Sequence, residues 1–471
     1  MASTPRSPVR TPSTARRTGP SPDGGGAVDP GGSASPRRGP GGSASPRRGP
    51  GGSASPRRGP GGSASPRRGR TRGGRGGSPG LQRLLLLESA AAVLVCAWPG
   101  GPAVFGAAAA AAAVLLLLAV VRLRGRSLPE WLRGRLALRA RLRRVPDAPL
   151  PPDVDPALAP AVECDPALRT YRYRRDDERR PVGMVGDGSF LTAVLRVESG
   201  AVAPRGGQDR VPLPLALVRD ALEVDDVRLE SAQVVLHTQP APAPHLPRES
   251  VVVTNYAQLQ GDAAVPAVRI VWIALKLSPE LCPEAVAARG GGLTGAQKCL
   301  LRTADHLSSR LAGAGFRAGV LTEEELAAAI ATSACANPLV TSGSGPDGAA
   351  APRRTAESGR SWRCDNRRHT TYWIRRWPRL GGAEDGLPEL VARLTSVPAL
   401  ATTFSLALAP AGAREVALTG HLRVTGRSGT ELSAARRVLE RIARETRTGV
   451  VRLDREQLPG VLATLPLGGA R

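Results

Sequence analysis

Residues 81–121 read LQRLLLLESAAAVLVCAWPGGPAVFGAAAAAAAVLLLLAVV, two apolar runs broken by Pro99-Gly100-Gly101-Pro102. The first run is Leu84–Trp98 and the second is Ala103–Val121. Proline stops one helix and the glycines permit a tight reversal. At ~1.5 Å per residue the second run reaches about 28 Å, the thickness of a hydrocarbon core. The expectation is a transmembrane helical hairpin. Arginines flank both sides: Arg75 and Arg83 before it, then Arg122, Arg124, Arg126, Arg133, Arg135 and Arg139 after it. By the positive-inside rule both ends stay cytoplasmic. A signal peptide fits less well, because it would carry neither a long basic leader nor a second apolar run.

Inside the hairpin, Glu88 is costly at mid-membrane and cheaper near an end. It reads either as a shallow residue paired with Arg83 or as a contact with a partner helix. Ala107–Ala113 reads as a spacer or as a surface of small residues, with Ala107, Ala110 and Ala111 as candidates, that a partner helix approaches closely.

Working outward towards the N-terminus, residues 1–80 are an arm without a core, predicted to be disordered. The decapeptide GGSASPRRGP starts at Gly31, Gly41, Gly51 and Gly61, its last copy ending in Arg70. Gly, Ser, Pro and Arg bury too little surface to offset chain entropy. The arm reads as a dispensable repeat expansion, or as a tether to anionic lipid. Towards the C-terminus, 123–160 begins as a basic amphipathic juxtamembrane helix. Trp131, Leu132, Leu136, Leu138 and Leu142 supply its apolar side, and arginines including Arg133 and Arg135 the rest. A Pro/Asp/Ala linker, Pro146–Pro160, follows.

The net charge of +25 lies mostly in these segments. Residues 151–471 hold 40 basic and 35 acidic residues, so the body is near neutral and nucleic acid is not the expected partner. The cysteines, at 96, 164, 282, 299, 335 and 364, form no CxxC pair and no zinc-finger spacing with histidine. They read as reduced, mostly buried thiols.

From 161 onward the punctuation is that of an α+β protein. Val182–Gly188 reads as a turn feeding the strand Ser189–Val197. Then follow a helix at Leu213–Leu222, strands at Val227–His237 and Val268–Leu277, a helix at Thr294–Leu311 and a strand at Phe316–Leu321. Thr322-x-x-Glu325 is a capping box opening the next helix. A flexible linker spans 341–360. The order β-α-β-β-α-β then recurs as His369–Ile374, Leu387–Thr395, Ala401–Leu408, Glu415–Val424, Thr430–Thr446 and Val450–Leu453, with a second capping box at Ser428-x-x-Glu431. The fold expected is therefore membrane-anchored α+β: the transmembrane hairpin followed by two ferredoxin-like (βαββαβ) modules, 161–340 and 361–471.

No Walker A or HExxH sequence is present. Arg289-Gly290-Gly291-Gly292 before a helix could offer amides to a phosphate, but without a Lys-Ser/Thr continuation it reads first as a loop. Asp225-Asp226 could hold a metal but reads first as a turn before a strand, and Cys364-x4-His369 lacks a second ligand pair. Trp373 and Trp377, with Trp362 and Tyr372 among arginines, read as a protein interface or as core. No cofactor or metal site and no catalytic group is expected.

From about Leu81 to the C-terminus the chain resembles the EccE family. The resemblance rests on the paired apolar runs, the basic stretch after them, PVGMVGDGSFLTAVLRV (181–197), LESAQVVLHTQPAPAPH (229–245), IALKLSPELCPEAVAARGGG (273–292), ATSACANPL (331–339) and TTYWI (370–374). It implies a non-enzymatic, structural component of the actinobacterial type VII (ESX) secretion system. Its partners would be the inner-membrane subunits EccB, the EccC ATPase and EccD, which export small helical substrates. The repeat arm departs from the family's usual short N-terminus. The competing reading is a membrane-tethered enzyme or phosphate-ligand sensor using Gly290–Gly292.

Overall fold

The computed structural model describes residues 79–143 apart from 121, 124 and 125, then 154–174, 180–199, 212–240, 251, 255, 266–343, 353–379, 386–412 and 415–469. The repeat arm lies outside the described residues, as do the Pro-rich stretch 241–250 and 344–352 of the expected linker. All described residues fall within one compact unit, Arg72–Arg471.

Two helices open it, α1 (Pro79–Ala97) and α2 (Gly101–Val120). They pack on each other through small side chains, with Ala90, Ala97 and Ala112 buried. Trp98 meets Phe105 edge to face at the turn, with ring centroids 5.8 Å apart. α3 (Leu128–Arg143) follows, then α4 (Ala159–Cys164).

The body is a sheet covered on both faces. Its strands are β1 (Arg169–Tyr173), β2 (Val182–Gly186), β3 (Leu191–Ser199), β4 (Ser231–Pro240), β5 (Pro266–Leu277) and β6 (Phe316–Val320). They continue as β7 (Thr355–Glu357), β8 (Trp362–Cys364), β9 (Arg367–Arg376), β10 (Ala401–Pro410), β11 (Val416–Gly426) and β12 (Gly449–Arg452). The helices among them are α5 (Leu215–Asp220), α6 (Pro283–Ala288), α7 (Gly292–Gly313), α8 (Glu323–Ser333), α9 (Pro338–Gly343), α10 (Leu387–Thr395), α11 (Gly429–Glu445) and α12 (Gln457–Leu462).

All 12 strands join one sheet in the order β7-β8-β9-β11-β10-β4-β5-β3-β2-β1, with β6 on β3 and β12 on β9. Every pairing is antiparallel. Outward from the centre the halves run β4-β5-β3-β6 and β10-β11-β9-β12, so the arrangement repeats. On one face α5, α6, α7, α10 and α11 bury Leu300, Leu307, Leu394, Leu439 and the strand residues Leu275, Phe404 and Leu422. On the other, α4, α8 and α12 cover Val194, Val235 and Trp272. With both faces covered, β5 (PAVRIVWIALKL) reads as a near-continuous apolar run.

The expected fold class is corrected in both its parts. Among the described residues no helix is long and apolar enough to cross a membrane, so the two-span hairpin falls. In α1 the apolar run is interrupted by Arg83 and Glu88. Nor does the body consist of two ferredoxin-like modules. Each half would leave an unpaired edge, β4 or β10, and an open edge with an apolar face recruits a partner strand. The two edges take each other, from Thr402 opposite Thr238 to Leu408 opposite Ala232, and make one sheet.

Val182–Gly188 is not the expected turn. Its first five residues form the buried strand β2, because Gly183 and Gly186 let backbone approach: a Cβ at Gly183 would lie 2.4 Å from Glu323 N. The capping box stands as read, Glu325 N to Thr322 Oγ1 and Thr322 N to Glu325 Oε2. At α11 only half of it forms. Ser428 Oγ takes Glu431 N, while Glu431 Oε2 receives the amide of Arg427.

Candidate functional site

α3 is seated by one side only. Gly134, Leu138 and Arg141 recur at helical spacing and face the body. Gly134 is buried beside Arg455 and Glu456, and Leu138 and Arg141 are half-buried. Arg141 Nε and Nη2 donate to Glu357 Oε2 and Oε1, each at 2.9 Å, and Nη2 also reaches the Arg455 carbonyl at 2.6 Å. Leu132, Leu136 and Leu142 are exposed, as are Arg133 and Arg135. The sequence places Leu138 on the same apolar side; the structure turns it inward. The backbone of Trp131 is helical, and its side chain lies outside the described set.

In the hairpin, Glu88 is exposed on α1. Ala107, Ala110 and Ala111 are exposed on α2, whereas Ala108 and Ala109 are half-buried towards α1. The small residues thus divide between an internal contact and an outward surface.

Trp373 and Trp377 do not meet. A register shift between Ile374 and Arg376, where β9 pairs with β12, reverses the facing of the residues that follow. Trp377 therefore packs edge to face on Phe404, centroids 6.5 Å apart, and covers Gly420. Trp373 remains 38 % exposed on the other face.

The Gly290–Gly292 loop has φ of 105°, 68° and 53°, which only glycine adopts freely. Its amides are partly spent: Gly290 N donates to Ala287 O and Gly291 N to Val286 O. Arg289 forks onto Asp226 with both contacts at 2.7 Å, and Arg302 reaches Asp225. The fork holds the Asp226 carboxyl below its ordinary range and the Arg289 guanidinium above its own. The arginine nearest the loop is thus already satisfied by an acid, and the two acids, Asp225 and Asp226, are each taken by an arginine.

Cys364 and His369 sit on paired strands and are both buried; His369 meets Trp362 at a tilt of 52°, centroids 4.9 Å apart. Burial first, then Asp365, pushes the Cys364 thiol up. No group of three or more potential metal ligands forms among the described residues.

What sequence reasoning missed lies at the centre of the second face. Arg423 on β11 is fully buried between Thr371 of β9 and Thr403 of β10. One terminal nitrogen, Nη2, binds the Ser333 carbonyl and lies near Ser333 Oγ and Thr403 Oγ1; Nε and Nη1 find no partner. His237 Nδ1 is 3.0 Å from Thr403 Oγ1, and His369 Nδ1 is 2.9 Å from Thr425 Oγ1. Burial, then the Arg423 charge, brings His237 down to about 3 and His369 well below its ordinary value.

The C-terminal segment closes this face. Gln233 Nε2 reaches Ser405 Oγ and Ala463 O, Gln233 Oε1 takes Gly468 N at 2.8 Å, and Thr192 donates to Leu467 O. The alternation His421-Leu422-Arg423-Val424-Thr425 was the signal. It reads equally well as a solvated strand face.

Against this geometry, one family model matches part of the chain. Residues 265–374, from β5 into β9, match the EccE family model, described as "Putative type VII ESX secretion system translocon, EccE". The resemblance carried by IALKLSPELCPEAVAARGGG, ATSACANPL and TTYWI is met within that stretch. No curated protein matches the chain.

Proposed function

We propose that the chain is a structural, non-catalytic subunit of a type VII secretion complex, assembled at the inner membrane with EccB, the EccC ATPase and EccD. The observation that carries this reading is the EccE match over 265–374. That stretch supplies central strands to both halves of the sheet, β5 and β9. A cytoplasmic position for the body is supported by the arginine excess of the arm and of α3, since the cytoplasmic leaflet carries the anionic lipid. The buried polar network fits a scaffold: its groups are closed off by α12 and the C-terminal segment, and polar contacts of this kind specify one register. The outward alanines of α2 and the exposed Trp373 are the surfaces proposed for partner subunits.

The test is mild-detergent extraction of cells producing the tagged full chain, followed by native separation. Migration in a large complex with an FtsK-like ATPase is the expected result. A lone protomer, or turnover of a substrate by the purified chain, overturns the proposal.

A further inference from the structure

The two sides of α3 are chemically different, and the body uses only one. Gly134, Leu138 and Arg141 face inward. Leu132, Leu136, Arg139 and Arg143 are four, three and four residues apart, which places them along the opposite side. All four are exposed, Leu136 at 63 %. Arg133 and Arg135 flank them and are exposed too. This outward face has two leucines at its centre, four arginines around it and no acid. The helix's one acid, Glu130, lies in its first turn.

We propose that the outward face of α3 lies on an anionic phospholipid surface. Leu132 and Leu136 enter the boundary between headgroups and acyl chains, and Arg133, Arg139 and Arg143 meet lipid phosphates. Charge complementarity selects this occupant. A helix bearing exposed leucines ringed by arginine has the pattern of a helix lying in the membrane interface. Long arginine stems let the charge reach the phosphates while the leucines go deeper. An acidic protein groove would answer the arginines but not the leucines between them, and the test separates it from lipid. The inward face adds what a free amphipathic helix lacks. Because Arg141 is bound to Glu357 and to the Arg455 carbonyl, lipid held by the outward face sets the orientation of the whole sheet relative to the membrane.

The experiment uses the purified full chain with an environment-sensitive fluorescent amino acid at position 136, and the same probe at Leu339, exposed on the body, as the control. Vesicles of phosphatidylcholine doped with phosphatidylglycerol should shift the emission at 136 to the blue and leave 339 unchanged. Pure phosphatidylcholine should bind at least about tenfold more weakly, and so should the variant carrying Arg139→Glu and Arg143→Glu. Both substitutions are on exposed residues, so the fold is retained and circular dichroism verifies it. An unchanged emission at 136, an equal shift on both vesicle types, or indifference to charge reversal overturns the proposal. Shielding of 136 only when other subunits are added shows a protein groove instead and also overturns it. Each of these results leaves the co-migration test of the subunit reading untouched.

Discussion

Arg141 and Glu357 face each other fork to fork across 216 positions of chain, both contacts 2.9 Å long, with the glutamate side chain only 3 % exposed. This pair fastens α3 to the edge strand β7. Arg141→Ala leaves a buried carboxylate with only the Leu458 amide, at 3.0 Å. The cost expected is about 1–3 kcal/mol, the usual penalty for stranding a buried polar group. Hydrogen exchange should show α3 losing protection while β5 and β11 keep theirs. Arg141→Lys should recover little, since an ammonium cannot make the two-pronged contact. Unchanged protection of α3 in Arg141→Ala would show that Gly134 and Leu138 suffice.

The buried histidines set a stability limit on the acid side. Burial brings His421 down to about 4, and His237 to about 3 with Arg423 adding to the effect. An unfolded histidine titrates near 6.5. Above that value both states are neutral and stability does not depend on these groups. Below it the unfolded chain takes up protons that the folded chain refuses, so stability falls as pH falls, by about 1.4 kcal/mol per unit per histidine, until the folded values are reached. Urea midpoints should be level near neutrality and decline from about pH 6.5 to 5, a window above the carboxylates. A profile flat to pH 5 would mean that the histidines are reached by water.

Legibility followed physical locality. The helix Leu387–Thr395 and the box Thr322/Glu325 are written within a few residues, and both are where the sequence puts them. The joining of β4 to β10 is not local: it depends on two edges more than 160 positions apart in the chain, such as Leu236 and Phe404. Alternation of polar and apolar residues in β11 cannot say whether its polar side meets water or α12. The bulge near Arg375 sends Trp377 inward from a pattern that placed it beside Trp373. Of the residues proposed for contact, Leu132, Arg133 and Leu136 are exposed, and helical period alone places the two leucines on one side of α3. The inward turn of Leu138 was not legible.

Arg423 should be dispensable for folding. A buried guanidinium with two nitrogens unpartnered gains little from its one carbonyl contact. Burial pulls its pKa below the ordinary guanidinium value, with Cys335, Cys364 and Cys164 opposing. Replacing buried charge by an apolar side chain of similar volume is often neutral or stabilising, by up to about 4 kcal/mol. Arg423→Met is therefore expected to fold, with its denaturation midpoint equal to or above that of the parent chain. It should also raise the titration of His237 and His369, both of which Arg423 depresses. A loss beyond about 3 kcal/mol would instead make the contact with Ser333 a support on which the end of α8 depends.

Gly183→Ala should be the most damaging of these changes, although it adds one methyl group. β2 runs against the start of α8, and the added Cβ would stand 2.4 Å from Glu323 N, 2.5 Å from Glu323 Cα and 2.6 Å from Thr322 C. All three are backbone atoms, so no rotamer change relieves the clash; strand and helix must separate. Gly183 N also donates to the Leu321 carbonyl at 2.9 Å, and separation stretches that bond and disturbs the Thr322 cap beside it. Overpacking of this kind costs typically 1–3 kcal/mol, and loss of the cap adds about 1 kcal/mol. Thr322→Ala alone should therefore lose only the smaller amount. The comparison is decisive in hydrogen exchange: in Gly183→Ala both β2 and the first turn of α8 should open, whereas in Thr322→Ala only the helix start should. Full stability of Gly183→Ala would mean that β2 lies further from α8 than the buried strand described here.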